Sequence, residues 1–362
     1  MSSLLLLPLE VLGIIGNDLP GLDLKNCSLA SKYLEYGTRT PLFRNMEFAG
    51  TRSVMADELL QFLSNKNQPR IRDMIRACRS LRIEVQDGGT YAEGSEFLPA
   101  LVMSAKRHLS KVTSLSLSLR ELSRSEDVAF SRMPKWGPTW DEVKVFKSDA
   151  QYSTMLAFLK HSLPSLEGID FEAPMIRNRV SCIKGGCPQL RRLRVNFRNP
   201  LCDFHRHLTE NSQVKINDLE NMEQLVIRKT TWAAMYQFGR LDRPIDITNR
   251  LCEIADHLGG LTALRQLSIE FHPSTMNWII FPHRMLGPGQ HHRIELDTFV
   301  MAAIMAMGAR LPQVDEICLV ERSAVFDGVN IVHRGVRDPS GEMAVTIEAP
   351  GYEDNFPLNI SQ

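Results

Sequence analysis

Five residues in one stretch have the types that hold zinc: Cys182, Cys187, Cys202, His205 and His207. Thiolates and imidazoles in fours make tetrahedral zinc sites, usually with a short C-x2-C knuckle. The run CIKGGC lacks that knuckle, and Cys187 opens CPQLRRL, where a small apolar residue is wanted for packing. No metal is expected. His291 and His292 in GPGQHHR are adjacent rather than four apart, which places them on a glycine-rich surface loop. Gly287, Pro288 and Gly289 match neither a Walker loop nor a dinucleotide fingerprint, and no lysine comes after them to meet a phosphate. With no nucleophile elbow, no kinase motif set and no pairing of nucleophile with base, the chain reads as non-enzymatic and free of cofactors.

Recognition chemistry is easier to place. Arg194, Asn196, Arg198, Arg228, Glu270 and His272 fall at alternate positions of predicted strands, on the side away from the core. Guanidinium pairs bidentately with carboxylate or phosphate, so Arg194, Arg198 and Arg228 are candidates for holding an acidic or phosphorylated target segment. A solvated strand face of mixed charge is the other reading.

The elements that would carry those residues show a four-point apolar comb, L-x2-L-x2-L-x-(I/L/V/F). It recurs at Leu109, Val112, Leu115, Leu117; Leu163, Leu166, Ile169, Phe171; Cys187, Leu190, Leu193, Val195; Leu219, Met222, Leu225, Ile227; Leu261, Leu264, Leu267, Ile269; and Leu311, Val314, Ile317, Leu319. The last two positions alternate as on a strand with one buried face, and the first two turn the chain in from a preceding helix. Helices are expected over Asp57 to Arg76, Ala150 to His161, Ile247 to Leu258 and Leu296 to Ala309. Leu81, Ile83 and Val85 make a divergent first strand. Ser123 to Lys147, with Trp136 and Trp140, and Thr230 to Asp246, with Trp232, read as inserted loops, and strands at Asn330 to His333 and Met343 to Ile347 as a terminal hairpin.

Composition agrees with a folded body: 43% hydrophobic and 23% charged residues, with 42 basic side chains against 42 acidic ones. A balanced charge gives no footprint for nucleic acid. Leu4 to Leu7 lack the basic flank of a signal peptide, and Pro8, Glu10, Asn17 and Asp18 break the apolar run beyond them, so no membrane span is expected. Seven cysteines without framework spacing suit a reducing cytoplasmic or nuclear setting.

The first 48 residues divide into three short helical segments, broken near Gly16 and Pro20 and again near Ser31. Three helices in so few residues bury little surface, so the unit is expected to lean on a partner. Leu7, Pro8, Glu10, Val11, Leu12 and Ile15, then Asp23, Leu24, Leu29, Ala30, Ser31 and Lys32, resemble the F-box pattern LPxE(I/V)LxxI…DL…L(V/A)SK, and Pro41, Leu42, Phe43 and Arg44 resemble the segment that often comes after it. Gly13 and Gly16 stand where bulkier residues are common, each costing roughly 1 kcal/mol of helix stability relative to alanine. The resemblance implies an F-box over 1–48, docking on a SKP-type adaptor of a cullin-RING ubiquitin ligase through Leu7, Pro8, Val11, Leu12, Ile15, Leu24 and Leu29. The comb resembles degenerate leucine-rich repeats, implying an α/β solenoid over 49–362 with helices outside, short parallel strands inside and a target protein on the arc. A non-ligase interaction scaffold built from the same parts is the alternative.

Overall fold

A computed structural model of the chain describes residues 4–86, 97–132, 140–160, 162–174, 183, 187–197, 219–229, 244–271, 290–322, 330–348 and 356. The chain divides into two units, Met1–Ser165 and Leu166–Gln362, each mixed α/β with a mostly parallel sheet.

The first unit opens with three helices, α1 (Leu9–Asp18), α2 (Gly21–Ala30) and α3 (Lys32–Leu42). A proline stands immediately before α1 and before α2, where its missing N–H costs nothing. The carbonyl of Pro8 accepts from the N–H groups of Val11 and Leu12, both at 3.1 Å. Ser31 caps α3 by accepting from the Leu34 N–H at 3.1 Å. Both α1 and α2 pack on α3 around Leu12, Leu24 and Leu34, all buried. The glycines have a second role here. A β-carbon on Gly37 would lie 2.7 Å from Leu12 Cβ, and one on Gly16 would lie 2.9 Å from Pro41 Cγ. So α1 and α3 approach more closely than larger residues would allow, and Gly16, expected only to weaken its helix, is part of that contact.

The rest of the unit is β1 (Asn45–Gly50), α4 (Arg52–Ser64), α5 (Pro69–Ala77), β2 (Ser80–Val85), α6 (Leu98–His108), β3 (Ser114–Ser118), α7 (Arg124–Arg132), β4 (Val145–Ser148) and α8 (Tyr152–Leu159). The single helix expected over Asp57 to Arg76 is two, because the chain turns at Asn65–Gln68 and Pro69 restarts it. Strand β1 straddles residue 48, so the sheet begins inside the segment assigned to the F-box. Strands β1 to β4 are parallel and in sequence order, with Met46, Leu81, Leu115 and Phe146 aligned in one row and Phe48, Ile83, Leu117 and Ser148 in another. Helices cover this side: Phe48 meets Phe62 of α4 edge-on at 5.6 Å.

The supposed loop from Ser123 to Lys147 holds α7 and the start of β4. Trp140, Val143, Phe146 and Ser148 keep the comb spacing and are all buried. Trp140 packs on Phe158 at 5.3 Å, and Trp and Ser at the outer positions hid this repeat.

The second unit runs β5 (Gly168–Pro174), β6 (Arg192–Phe197), β7 (Gln224–Lys229), α9 (Pro244–Leu258), β8 (Gln266–Phe271), α10 (Gln290–Arg310), β9 (Glu316–Arg322), β10 (Asn330–Arg337) and β11 (Met343–Glu348). Strands β5 to β9 are parallel neighbours in sequence order, and Ile169, Leu193, Leu225, Leu267 and Ile317 align across them. The antiparallel hairpin β10–β11 then extends the edge. His291 and His292 lie in α10 rather than in a loop, since the helix starts at Gln290 directly after Gly289. Apart from half-buried Leu163, every comb residue is buried. In the combs that start at Leu109, Trp140, Cys187, Leu219, Leu261 and Leu311 the second residue's N–H donates to the first residue's carbonyl, as Val143 to Trp140 at 3.0 Å and Met222 to Leu219 at 3.0 Å. That closed turn is the cause of the three-residue spacing.

A lysine is buried among the polar side chains inside the first unit. Lys106, in the last turn of α6, has its ammonium 5.1 Å from the Trp140 ring centre and 3.4 Å from the Leu109 carbonyl oxygen. Burial pushes its pKa down from an ordinary 10.5 to about 8 and pushes the nearby Cys78 thiol up to about 11. A lysine with a lowered folded pKa stabilises least when charged, so stability falls as pH drops from 10.5 towards 8 and is flat below. Lys106→Met should therefore raise the free energy of unfolding in urea most below pH 8, by up to about 3 kcal/mol, and the difference should shrink towards pH 10.5. A pH-independent difference would contradict the burial account. Gly37→Ala should weaken the bundle: overpacking costs about 1–3 kcal/mol, against roughly 1 kcal/mol returned by helix propensity. Faster hydrogen exchange confined to α1 and α3 would register it, and slower exchange would refute the close approach.

Candidate functional site

The three-helix bundle concentrates the molecule's exposed oil. Of the seventeen large apolar side chains exposed among the described residues, ten lie between Leu5 and Tyr36. On α1, Val11, Ile14 and Ile15 repeat at i, i+3, i+4, on the side opposite buried Leu12 and Gly16. On α2, Leu22 and Leu29 are two turns apart, 71% and 76% exposed, opposite buried Leu24. Each helix is thus apolar on two sides, one used in the bundle and one presented outward. Tyr33 fixes the chain before α1 by donating its hydroxyl to the Leu7 carbonyl at 2.6 Å.

The residues expected to dock separate accordingly. Val11, Ile15 and Leu29 are outward, Pro8 is exposed and Leu7 is half-buried. Leu12 and Leu24, at 2% and 5% exposure, are buried and present no surface for docking, contrary to expectation. They form the bundle's own core, because a helix packed on α3 must spend its inward positions there. Ile14 and Leu22 are the outward apolar residues that the sequence reading missed, and their helical spacing from Val11 and Leu29 is the signal that identifies them.

The expected target face fares differently. Arg194 is only 2% exposed, held by Asp170 and by Glu172 at 2.9 Å. Asn196 donates its side-chain amide to the Glu172 carbonyl at 2.6 Å, and Arg228 pairs with buried Glu270 at 2.7 Å. Arg198 and His272 lie outside the described residues. The row Asp170, Arg194, Val226, Ser268, Cys318 is buried throughout, and Phe356 packs on Cys318, Val320 and Val332. These arginines and Glu270 therefore do not form an open grip for an acidic segment. Carboxylates on the neighbouring strands already occupy them, which offsets the cost of burying the charge. A further chain of side-chain bonds runs from Gln224 to Gln266 (2.9 Å) and on to Glu316 (2.8 Å), which Arg334 ties to Glu348.

The corresponding face of the first unit is open. Glu47, Arg82, Ser116 and Lys147 align across β1 to β4, none of them buried, with Arg82 on Glu47 at 3.3 Å.

Of the zinc-type residues only Cys187 is among the described ones, buried at the first comb position; Cys182, Cys202, His205 and His207 lie outside them. No group of three or more potential metal ligands occurs among the described residues, and no described helix is long and apolar enough to cross a membrane.

No protein-family model matches the sequence, and no curated protein matches it.

Truncating Arg194 leaves Asp170 buried without its guanidinium, so Arg194→Ala should cost about 3–5 kcal/mol in urea unfolding. Arg194→Leu combined with Asp170→Leu should recover much of that loss. A single substitution without effect on stability would show that the pair is not sealed.

Proposed function

We propose that the chain is an F-box-type adaptor, whose N-terminal bundle docks on a SKP-type subunit of a cullin-RING ubiquitin ligase and whose body holds a target protein. The observation that carries this reading is the outward apolar stripe of Val11, Ile14 and Ile15 on the same short helix that carries the LPxE(I/V)L motif. Water-exposed isoleucines at helical spacing are what a hydrophobic interface core requires. The body is read as a degenerate leucine-rich-repeat arc. Support for that comes from the recurring closed turn, the parallel strands in sequence order and the helices that lead into several of them.

In this reading the chain performs no chemistry. Ubiquitin transfer belongs to other subunits, and the adaptor contributes by raising the target's effective concentration near the charged carrier. The setting is cytoplasmic or nuclear, where such ligases work.

Purified full-length protein should retain a SKP-type adaptor on an affinity resin. Ile15→Asp with Leu29→Asp should reduce retention by at least tenfold while far-ultraviolet circular dichroism stays unchanged, because both side chains point away from the bundle core. Wild-type protein that retains no adaptor would end the proposal. Retention of the adaptor without recruitment of a cullin would turn it into a scaffold outside any ligase.

A further inference from the structure

One repeated position separates the two units by charge. Just before seven of the parallel strands, a single carbonyl accepts the N–H groups of two consecutive residues in the next repeat. In the second unit these carbonyls belong to Glu167, Arg191, Glu223 and Arg265, and Asp315 at the same position accepts the single N–H of Arg337. Acid and base alternate, and Arg191 meets Glu223 at 3.6 Å. In the first unit the same position holds Arg44, Arg79, Thr113 and Lys144, with no acid among them. Neighbouring strands lie about 4.8 Å apart, so Arg44 and Arg79 start side by side.

The surroundings add to the imbalance. Arg79 donates to the Arg76 carbonyl at 2.8 Å, which places Arg76 beside it. Lys111 stands in the turn that leads to Thr113. Helix α5 contributes Arg70 and Arg72, and its one acid, Asp73, is taken by Arg39 at 2.9 Å. Lys66 reaches His108 at 3.4 Å, joining the last turn of α6, with Arg107, to the start of α5. In the fourth repeat Asp141 and Glu142 precede Lys144, so the excess is confined to the first three strands.

Several guanidinium groups elsewhere are neutralised by carboxylates, those of Arg39, Arg52, Arg82, Arg194, Arg228 and Arg334, and those of Arg265 and Arg337 bond backbone carbonyls. Among the described residues Arg44, Arg72, Arg76, Arg107 and Lys111 make none, and all five are exposed. Like charges gathered on a chain with no net charge repel one another, and an anionic ligand relieves that repulsion.

We propose that this cationic surface of the first unit, centred on Arg44, Arg76, Arg79 and Lys111, binds an acidic protein segment. It depends on the adaptor reading only for calling that segment the target. Arginine predominates over lysine, which suits bidentate pairing with carboxylates. Single-stranded nucleic acid is favoured less, because base stacking needs open rings beside the charges. Of the rings here, Phe43 is buried, with the Arg70 guanidinium 5.9 Å from its centre, and the exposed ring of Tyr36 is already covered by Arg39 at 4.3 Å.

The test is fluorescence anisotropy on the full-length protein with three labelled probes: a 15-residue peptide rich in Glu and Asp, its Gln and Asn counterpart, and a 15-nucleotide single-stranded DNA. The acidic peptide should bind at least tenfold more tightly than the amide counterpart, and weaken as salt rises. Arg44→Ser with Arg76→Ser and Lys111→Ser should reduce its affinity at least tenfold at an unchanged melting temperature, since these side chains are exposed. Equal binding of acidic and amide peptides, or an undiminished affinity in the triple variant, would overturn the proposal. Tighter binding of the DNA than of the acidic peptide would replace it with a nucleic-acid site. Adaptor retention measured on the same triple variant separates the two readings: it should remain at the wild-type level whichever way the peptide result falls.

Discussion

The sheet in each unit depends on one hydrogen-bonding constraint: before seven of the parallel strands, one carbonyl takes two N–H groups from the next repeat. Arg44 does this for Arg79 and Ser80, at 2.8 and 3.0 Å, and Arg265 does it for Asp315 and Glu316 at 2.9 and 3.0 Å. Parallel strands cannot be set in register by a tight hairpin, because a crossover of a dozen or more residues separates them. The forked bond performs that service. It fixes where each strand starts relative to its neighbour, so comb residues of successive repeats fall into rows instead of slipping by one and exchanging faces.

With the comb rows aligned, the opposite face is aligned as well, and its chemistry becomes a property of the sheet. In the second unit that face is closed, and every charge on it has to be answered from a neighbouring strand. Asp170 and Glu172 answer Arg194; Glu270 answers Arg228. An ion pair sealed in this way adds little net stability over a well-packed apolar pair, but it is intolerant of losing one member. In the first unit the same face carries Glu47, Arg82, Ser116 and Lys147 in the open, where ion pairs such as Arg82 with Glu47 contribute little.

How much of this could be read from the sequence depends on where the period is strong. The six combs were legible because Leu, Ile and Val at i, i+3, i+6 and i+8 report a turn and a strand together, and all but Leu163 are buried. The repeat at Trp140, Val143, Phe146 and Ser148 was not, because a tryptophan can fill a position meant for leucine and a serine can bond the Leu117 carbonyl at 3.2 Å in place of packing. Alternation also placed Arg194 and Arg228 on the non-comb face correctly. It could not say whether that face meets water, since burial of the second side depends on chain far away in sequence, such as Phe356. The charged row before the strands went unseen for a related reason: Arg44, Arg79 and Lys111 are scattered over some seventy residues and become neighbours only once the register is known.

The bundle shows the same limit at shorter range. Leu12 and Val11 are alike as sequence symbols, and a motif assigns both to one surface. Helical geometry centres the stripe of Val11, Ile14 and Ile15 near Val11 and sets Leu12 about 100° away from it, outside the stripe and towards α3. The close approach at Gly16 and Gly37 decides which side turns in: α3 has room for α1 only where neither helix carries a bulky side chain, and Leu12 fills the space that Gly37 leaves. Once Leu12 and Gly16 face α3, Val11, Ile14 and Ile15 are forced outward together. The apolar stripe is therefore a consequence of how the helices cross, and a glycine that costs α1 some stability is what aims its isoleucines at the solvent.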